Sequence, residues 1–166
     1  MKSNRSLWVV LFAALCVAAM IGCGEKVPIR EMSEAKLAIS KAESVKADKY
    51  APDEIKAARG GLMESHSLVM KDDQDKAAKE ADGARIKAED AYNKAVPLLA
   101  KDTISAAEKS LEEATDAYAE SLARNEYLRA QEGVKDSNKK FEDKDFYNAY
   151  LKASAADGDA RKARDI

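Results

Sequence analysis

Ala77-Ala78-Lys79-Glu80-Ala81-Asp82-Gly83-Ala84-Arg85-Ile86-Lys87-Ala88-Glu89-Asp90-Ala91 places alanine at 77, 81, 84, 88 and 91, with charged residues at most positions between. Steps of four and three keep those alanines on one face of an α-helix. So narrow a stripe is the a/d seam of helices packed at a shallow angle. A methyl seam takes up little space, so the neighbouring backbone is expected near the short end of the usual range of about 8–10 Å. The spacing continues through Ala95 to Leu98 and recurs at Ala149, Ala153, Ala156, Ala160 and Ala163. Ile55, Ala58, Leu62, Ser65 and Val69 make a third seam; Tyr127, Ala130, Val134, Ser137 and Phe141 make a fourth.

Composition points the same way. Alanine is the best helix former, followed by Leu, Arg, Lys, Gln and Glu, and only three prolines, Pro28, Pro52 and Pro97, interrupt the chain. The predicted fold class is all-α, an elongated antiparallel bundle of long Ala-rich helices. A core of methyl groups buries little area per residue, so stability must accumulate along the length. The 28 basic and 30 acidic residues are finely mixed, as on solvated helix faces. Nothing in that balance attracts nucleic acid.

The seams superimpose at a shift of 72 residues. Met32, Ala35, Ile39 and Ala42 fall on Ile104, Ala107, Leu111 and Ala114. Gly61, Ser65 and Asp73 fall on Gly133, Ser137 and Asp145, matches that a generic alanine pattern does not supply. This reads as an internal duplication over 29–95 and 101–166 within a helical domain spanning 29–166. Each unit is predicted as a long helix, a tight turn and a shorter returning helix. The turns are Met70-Lys71-Asp72-Asp73 and Glu142-Asp143-Lys144-Asp145, where acids suit a helix N-terminus. Pro52 restarts a helix as its first residue, and Pro97 is expected to kink or interrupt the path between units. Residues 74–140 form either one kinked helix or two. A helix of some forty residues placed across Asp102 to Phe141 would reach roughly 60 Å.

At the N-terminus, Lys2 and Arg5 precede a charge-free run from Leu7 to Ile21, and Gly22 then stands before Cys23. This is the layout of a secretory signal peptide over 1–22. The apolar run of about fifteen residues is short of the roughly twenty that span a bilayer. Met20-Ile21-Gly22-Cys23 resembles the lipobox of bacterial lipoproteins, although Leu is commoner than Met at the first of these positions. The resemblance implies cleavage before Cys23, a thioether from its thiol to diacylglycerol, acylation of the new N-terminus, and a short tether over 23–28. The alternatives are an ordinary signal peptide with a chance cysteine, or a spanning anchor. Gly24, where Asp would argue for inner-membrane retention, implies the outer membrane, on its periplasmic face or displayed at the surface. Cys16 leaves with the signal, so no disulfide or thiol nucleophile is expected.

Tyr50-Ala51-Pro52-Asp53-Glu54-Ile55, followed by Ala58, Leu62, Asp75 and the Ala77-to-Ala91 ladder, resembles an uncharacterised Ala-rich helical domain of bacterial envelope lipoproteins, domain of unknown function 4398. The resemblance covers most of residues 28–95. It weakens in the second unit, which has Leu122-Ala123-Arg124 in place of the Tyr-Ala-Pro step. The family implies a fold and a location but no activity. Some members resemble fusions to a peptidoglycan-binding domain, for which no room is expected after Ile166.

Chemistry is sparse. His66, the only histidine, reads as a helix flank. Asp72, Asp73 and Asp75 resemble the start of a calcium loop, but Ala78 and Ala84 stand where Gly and Glu are required. No metal, cofactor or catalytic residue is expected. The aromatic group Phe141, Phe146, Tyr147 and Tyr150 either plugs the core at a hairpin end or docks a partner, since rings carry much interface energy. The expected role is a non-catalytic spacer, scaffold or docking protein, contacting an envelope partner through the aromatic end far from the anchor. Binding a host or neighbouring molecule from the cell surface, or service as an accessory subunit, are the rival expectations.

Overall fold

In the computed structural model, which describes residues 26–166, the chain folds into helices alone. They are α1 (Ile29–Ser44), α2 (Ala47–Tyr50), α3 (Pro52–Met70), α4 (Gln74–Asp116), α5 (Ala119–Leu122), α6 (Arg124–Glu142) and α7 (Phe146–Arg164). The predicted signal segment over 1–22 and the predicted lipidation site Cys23 lie outside the described residues.

α4 organises everything else. It runs for 43 residues, about 65 Å of helix. Its first half packs with α1 and α3. The Ser65 hydroxyl donates to the Ala77 carbonyl at 2.8 Å and Lys94 pairs with Glu54, so α3 is antiparallel to α4. Lys41 stacks on Tyr92 and Lys49 pairs with Asp102, so α1 and α2 run alongside α4 in its own direction. The second half of α4 packs with α6 and α7 in the same up-down-up order. Asn138 donates to Glu108 across the antiparallel α6, and Ser110 donates to Asp157 across the parallel α7. The result is two three-helix bundles sharing one continuous helix.

The backbone repeats at the shift seen in the seams. The non-glycine residues with positive φ among those described are Lys46 (58°), Asp72 (61°), Tyr118 (59°) and Lys144 (61°), two pairs each separated by 72 positions. Ala51 (φ −145°, ψ 56°) and Ala123 (φ −134°, ψ 45°), also so separated, share one non-helical geometry at the starts of α3 and α6. A Cβ on Gly133 would come within 2.9 Å of the Ala156 Cβ, and one on Gly61 within 3.2 Å of the Ala84 Cβ. In each unit a glycine thus faces an alanine of the neighbouring helix at close range.

The burial follows the seams, with Ala77 to Ala95 and Ala149 to Ala163 inside at every predicted position. Three expectations are corrected. The forty-residue helix lies across Gln74–Asp116, while the Asp102–Phe141 path is broken at 117–123. An unbroken helix there would pull apart the cluster in which Ala114, Ala119, Ala123 and Tyr127 meet Ala163. In the first unit the path breaks at 45–51 and restarts at Pro52, as that proline predicted. Pro97 does not interrupt α4. A mid-helix proline costs about 3 kcal/mol, and burial of Val96, Leu99, Ala100 and Ile104 around it outweighs that cost. Leu98 consequently faces outward and Leu99 takes the seam.

Candidate functional site

The predicted docking rings sit at the joint between the two bundles. The α6–α7 turn brings Phe141 and Phe146 into an edge-to-face pair with centroids 5.1 Å apart. Phe146 and Tyr150 pack against both the core around Ile55 and Leu99 and the core around Ile104 and Ala153. They fill the wider space where an alanine core changes partners. Tyr147, 6.1 Å from Tyr150 between ring centres, is the most exposed of the four. The expectation that these rings mark the end far from the N-terminus is corrected: α7 begins level with the middle of α4, because the corner at 117–123 turns α6 back along it.

Polar contacts lock the same joint. Asp102 accepts from the Lys49 ammonium at 2.9 Å and from the Tyr50 hydroxyl at 2.7 Å. These two donors, Lys49 first, hold its carboxyl below the ordinary aspartate range. Arg59 of α3 ties the first corner together by bonding Glu43 and Asp48, and its guanidinium lowers the Asp48 pKa. Beside the joint a groove of about 810 Å³ runs between α1 and α4, lined by Leu37, Ala38, Lys41, Arg85, Glu89 and Tyr92. Its end is closed by Lys41, 4.4 Å above the Tyr92 ring. The equivalent positions 72 residues on are Glu113 and Arg164, which make an ion pair at 2.7 Å. One helix contact is made by a cation–π pair in the first unit and by opposite charges in the second. Burial, with Tyr147 nearby, raises the Tyr92 pKa.

The two ends carry features the sequence did not announce. At the far corner Tyr118 is 77% and Leu122 67% exposed. In the repeat these are the counterparts of Lys46, also exposed, and Tyr50, half-buried at the first corner. At the near end a cleft of about 530 Å³ opens between the start of α1 and the start of α4, lined by Val27, Pro28, Arg30, Gln74 and Ala78. The Gln74 side chain is buried there, and its Oε1 has no hydrogen-bond partner among the described residues.

His66 is exposed on α3. Asp73 caps α4, its carboxylate accepting from the Lys76 amide at 3.3 Å, which is the local use of the acidic turn. No cluster of three or more His, Cys, Asp or Glu side chains suited to a metal occurs among the described residues. No described helix is long and apolar enough to cross a membrane. No protein-family model matches the chain, nor does any curated protein or solved structure.

Proposed function

We propose that this chain is a lipid-anchored protein of a bacterial envelope, held through Cys23, whose helical body spaces or docks other envelope components without turning over a substrate. The observation that carries the reading is Met20-Ile21-Gly22-Cys23, which ends a charge-free run shortly before the helical body. The use made of the described charges supports it. Asp48, Glu54, Asp73, Asp102 and Asp145 are all shifted downward, chiefly by hydrogen bonds from neighbouring side chains. Such shifts stabilise the ionised form and suit solvated ties between helices. Residues 24–28 extend at most about 17 Å, which keeps the bundle close to the bilayer.

A single acyl chain binds membranes marginally, and stable anchoring takes two or more. Cys23→Ser should therefore yield an uncleaved or soluble product without incorporated palmitate label. Persistence of labelled, detergent-partitioning Cys23→Ser protein would refute the anchor.

A further inference from the structure

We infer that the near end of the helical body is a membrane seat, where Val27, Ile29 and Met70 rest in the headgroup layer of the bilayer that holds Cys23 and the body stands on the membrane. The seat deepens the anchor reading and rests on it. At this end the chain enters α1, α3 finishes and α4 starts. The starts of α1 and α4 face each other across the cleft at Val27, Pro28, Gln74 and Ala78, and Met70 precedes the short turn into α4. Val27 is 45%, Ile29 72% and Met70 82% exposed.

What covers these side chains follows from where the chain leads. Residues 24–28 reach at most about 17 Å when fully extended, so a lipid on Cys23 holds this end beside the bilayer at all times. The far corner, at the other end of α4, lies about 65 Å of helix away and reaches lipid only if the body tips over. Apolar side chains kept at a bilayer surface settle about 5–10 Å into the boundary between headgroups and acyl chains.

The repeat supplies an internal comparison. The counterparts of Ile29 and Met70 in the second unit are Lys101 and Glu142, which are also exposed. Two positions open to solvent thus carry charge in mid-molecule and hydrocarbon at the tethered end. The flanks carry surface ion pairs such as Arg85–Glu89 and Lys109–Glu113, and charged groups lose hydration on entering an apolar layer. Standing therefore suits this surface better than lying down. Around the seat, Lys26 and Lys71 are offset by Asp72 and Asp75, so the contact is apolar and does not require anionic lipid.

The test places p-benzoylphenylalanine at position 29, 70, 118 or 155 of the full chain in its own cells. Irradiation should join positions 29 and 70 to phospholipid, read as lipid adducts by mass spectrometry. Positions 118 and 155, at the far corner and on the flank of α7, should give at least tenfold fewer. Ile29→Asp with Met70→Asp, read from the same probe at position 71, should lower the adducts at least tenfold, with helical circular dichroism and palmitate labelling of Cys23 unchanged. Adducts at 29 alone report only the tether and overturn the seat. So do adducts of equal yield at 118 or 155, cross-links from 70 to a protein, or adducts insensitive to the two aspartates. Palmitate label at Cys23 without adducts at 70 overturns the seat and leaves the anchor standing, whereas absence of the label overturns both.

Discussion

Gly133→Ala and Gly158→Ala are chemically the same change, yet the structure requires opposite outcomes. Gly158 has nothing within 4 Å of the position its Cβ would take. It lies inside α7, so alanine there should gain the ordinary helix-interior preference of roughly 0.8–1.0 kcal/mol. At Gly133 the same gain is opposed by contact with the Ala156 Cβ at 2.9 Å and its Cα at 3.5 Å. Overpacking of that kind costs about 1–3 kcal/mol, leaving a net loss of roughly 0–2 kcal/mol. Gly61, with its nearest contact at 3.2 Å, should fall between, near zero. Its neighbour Gly60, also free of contacts within 4 Å, should behave like Gly158. Urea and thermal unfolding followed by far-UV circular dichroism would measure the differences, each 1 kcal/mol moving Tm by roughly 2–4 °C in a chain of this size. If Gly133→Ala stabilises as much as Gly158→Ala, the α6–α7 approach is wider than described and the glycine–alanine contact is not what sets it.

Lys144 holds a left-handed conformation that costs a non-glycine residue about 1 kcal/mol or more, so Lys144→Gly should stabilise by about that amount. Lys139→Gly, within α6, should destabilise by about 1 kcal/mol; equal shifts in urea midpoint would count against the φ assignment. Asp102 should titrate below the ordinary aspartate range because its folded-state pKa is depressed by Lys49 and Tyr50. A depressed carboxylate contributes stability that is complete above its unfolded-state pKa and is lost as pH falls through the folded value. The acid limb of stability should therefore flatten in Asp102→Asn within that window, and carboxyl-carbon NMR titration reads the pKa directly. An unshifted Asp102 would show that the joint is not locked by this triad.

The alanine seams were legible because each fixes a helix face by spacing alone. The 72-residue repeat was legible because Gly61, Ser65 and Asp73 recur in it. The two acidic turns and the restart at Pro52 also carried ordinary signals. The corners at Lys46 and Tyr118 carried none: glycine is the usual occupant of a left-handed position, and here a lysine and a tyrosine take it. Without Pro52's counterpart, Arg124 gave no hint that the helix stops before it. Of the two outcomes expected at Pro97, the interruption did not occur, since local backbone preference yielded to burial on both sides of it. Phe141, Phe146, Tyr147 and Tyr150 were visible as a cluster, but their place beside the middle of α4 depends on where α6 turns back, which no local pattern in 102–141 reveals.

Because α4 passes unbroken from one bundle into the other, the azimuth of the second bundle about the first is fixed by counting residues. One residue inserted between Val96 and Lys101 would rotate everything beyond it by about 100° and advance it about 1.5 Å. The joint residues Phe146 and Tyr150 would then swing away from the first corner. Seven inserted residues would nearly restore the angle while opening a gap of about 10 Å. The helix thus acts as a keyed shaft, on which length and phase cannot be varied independently.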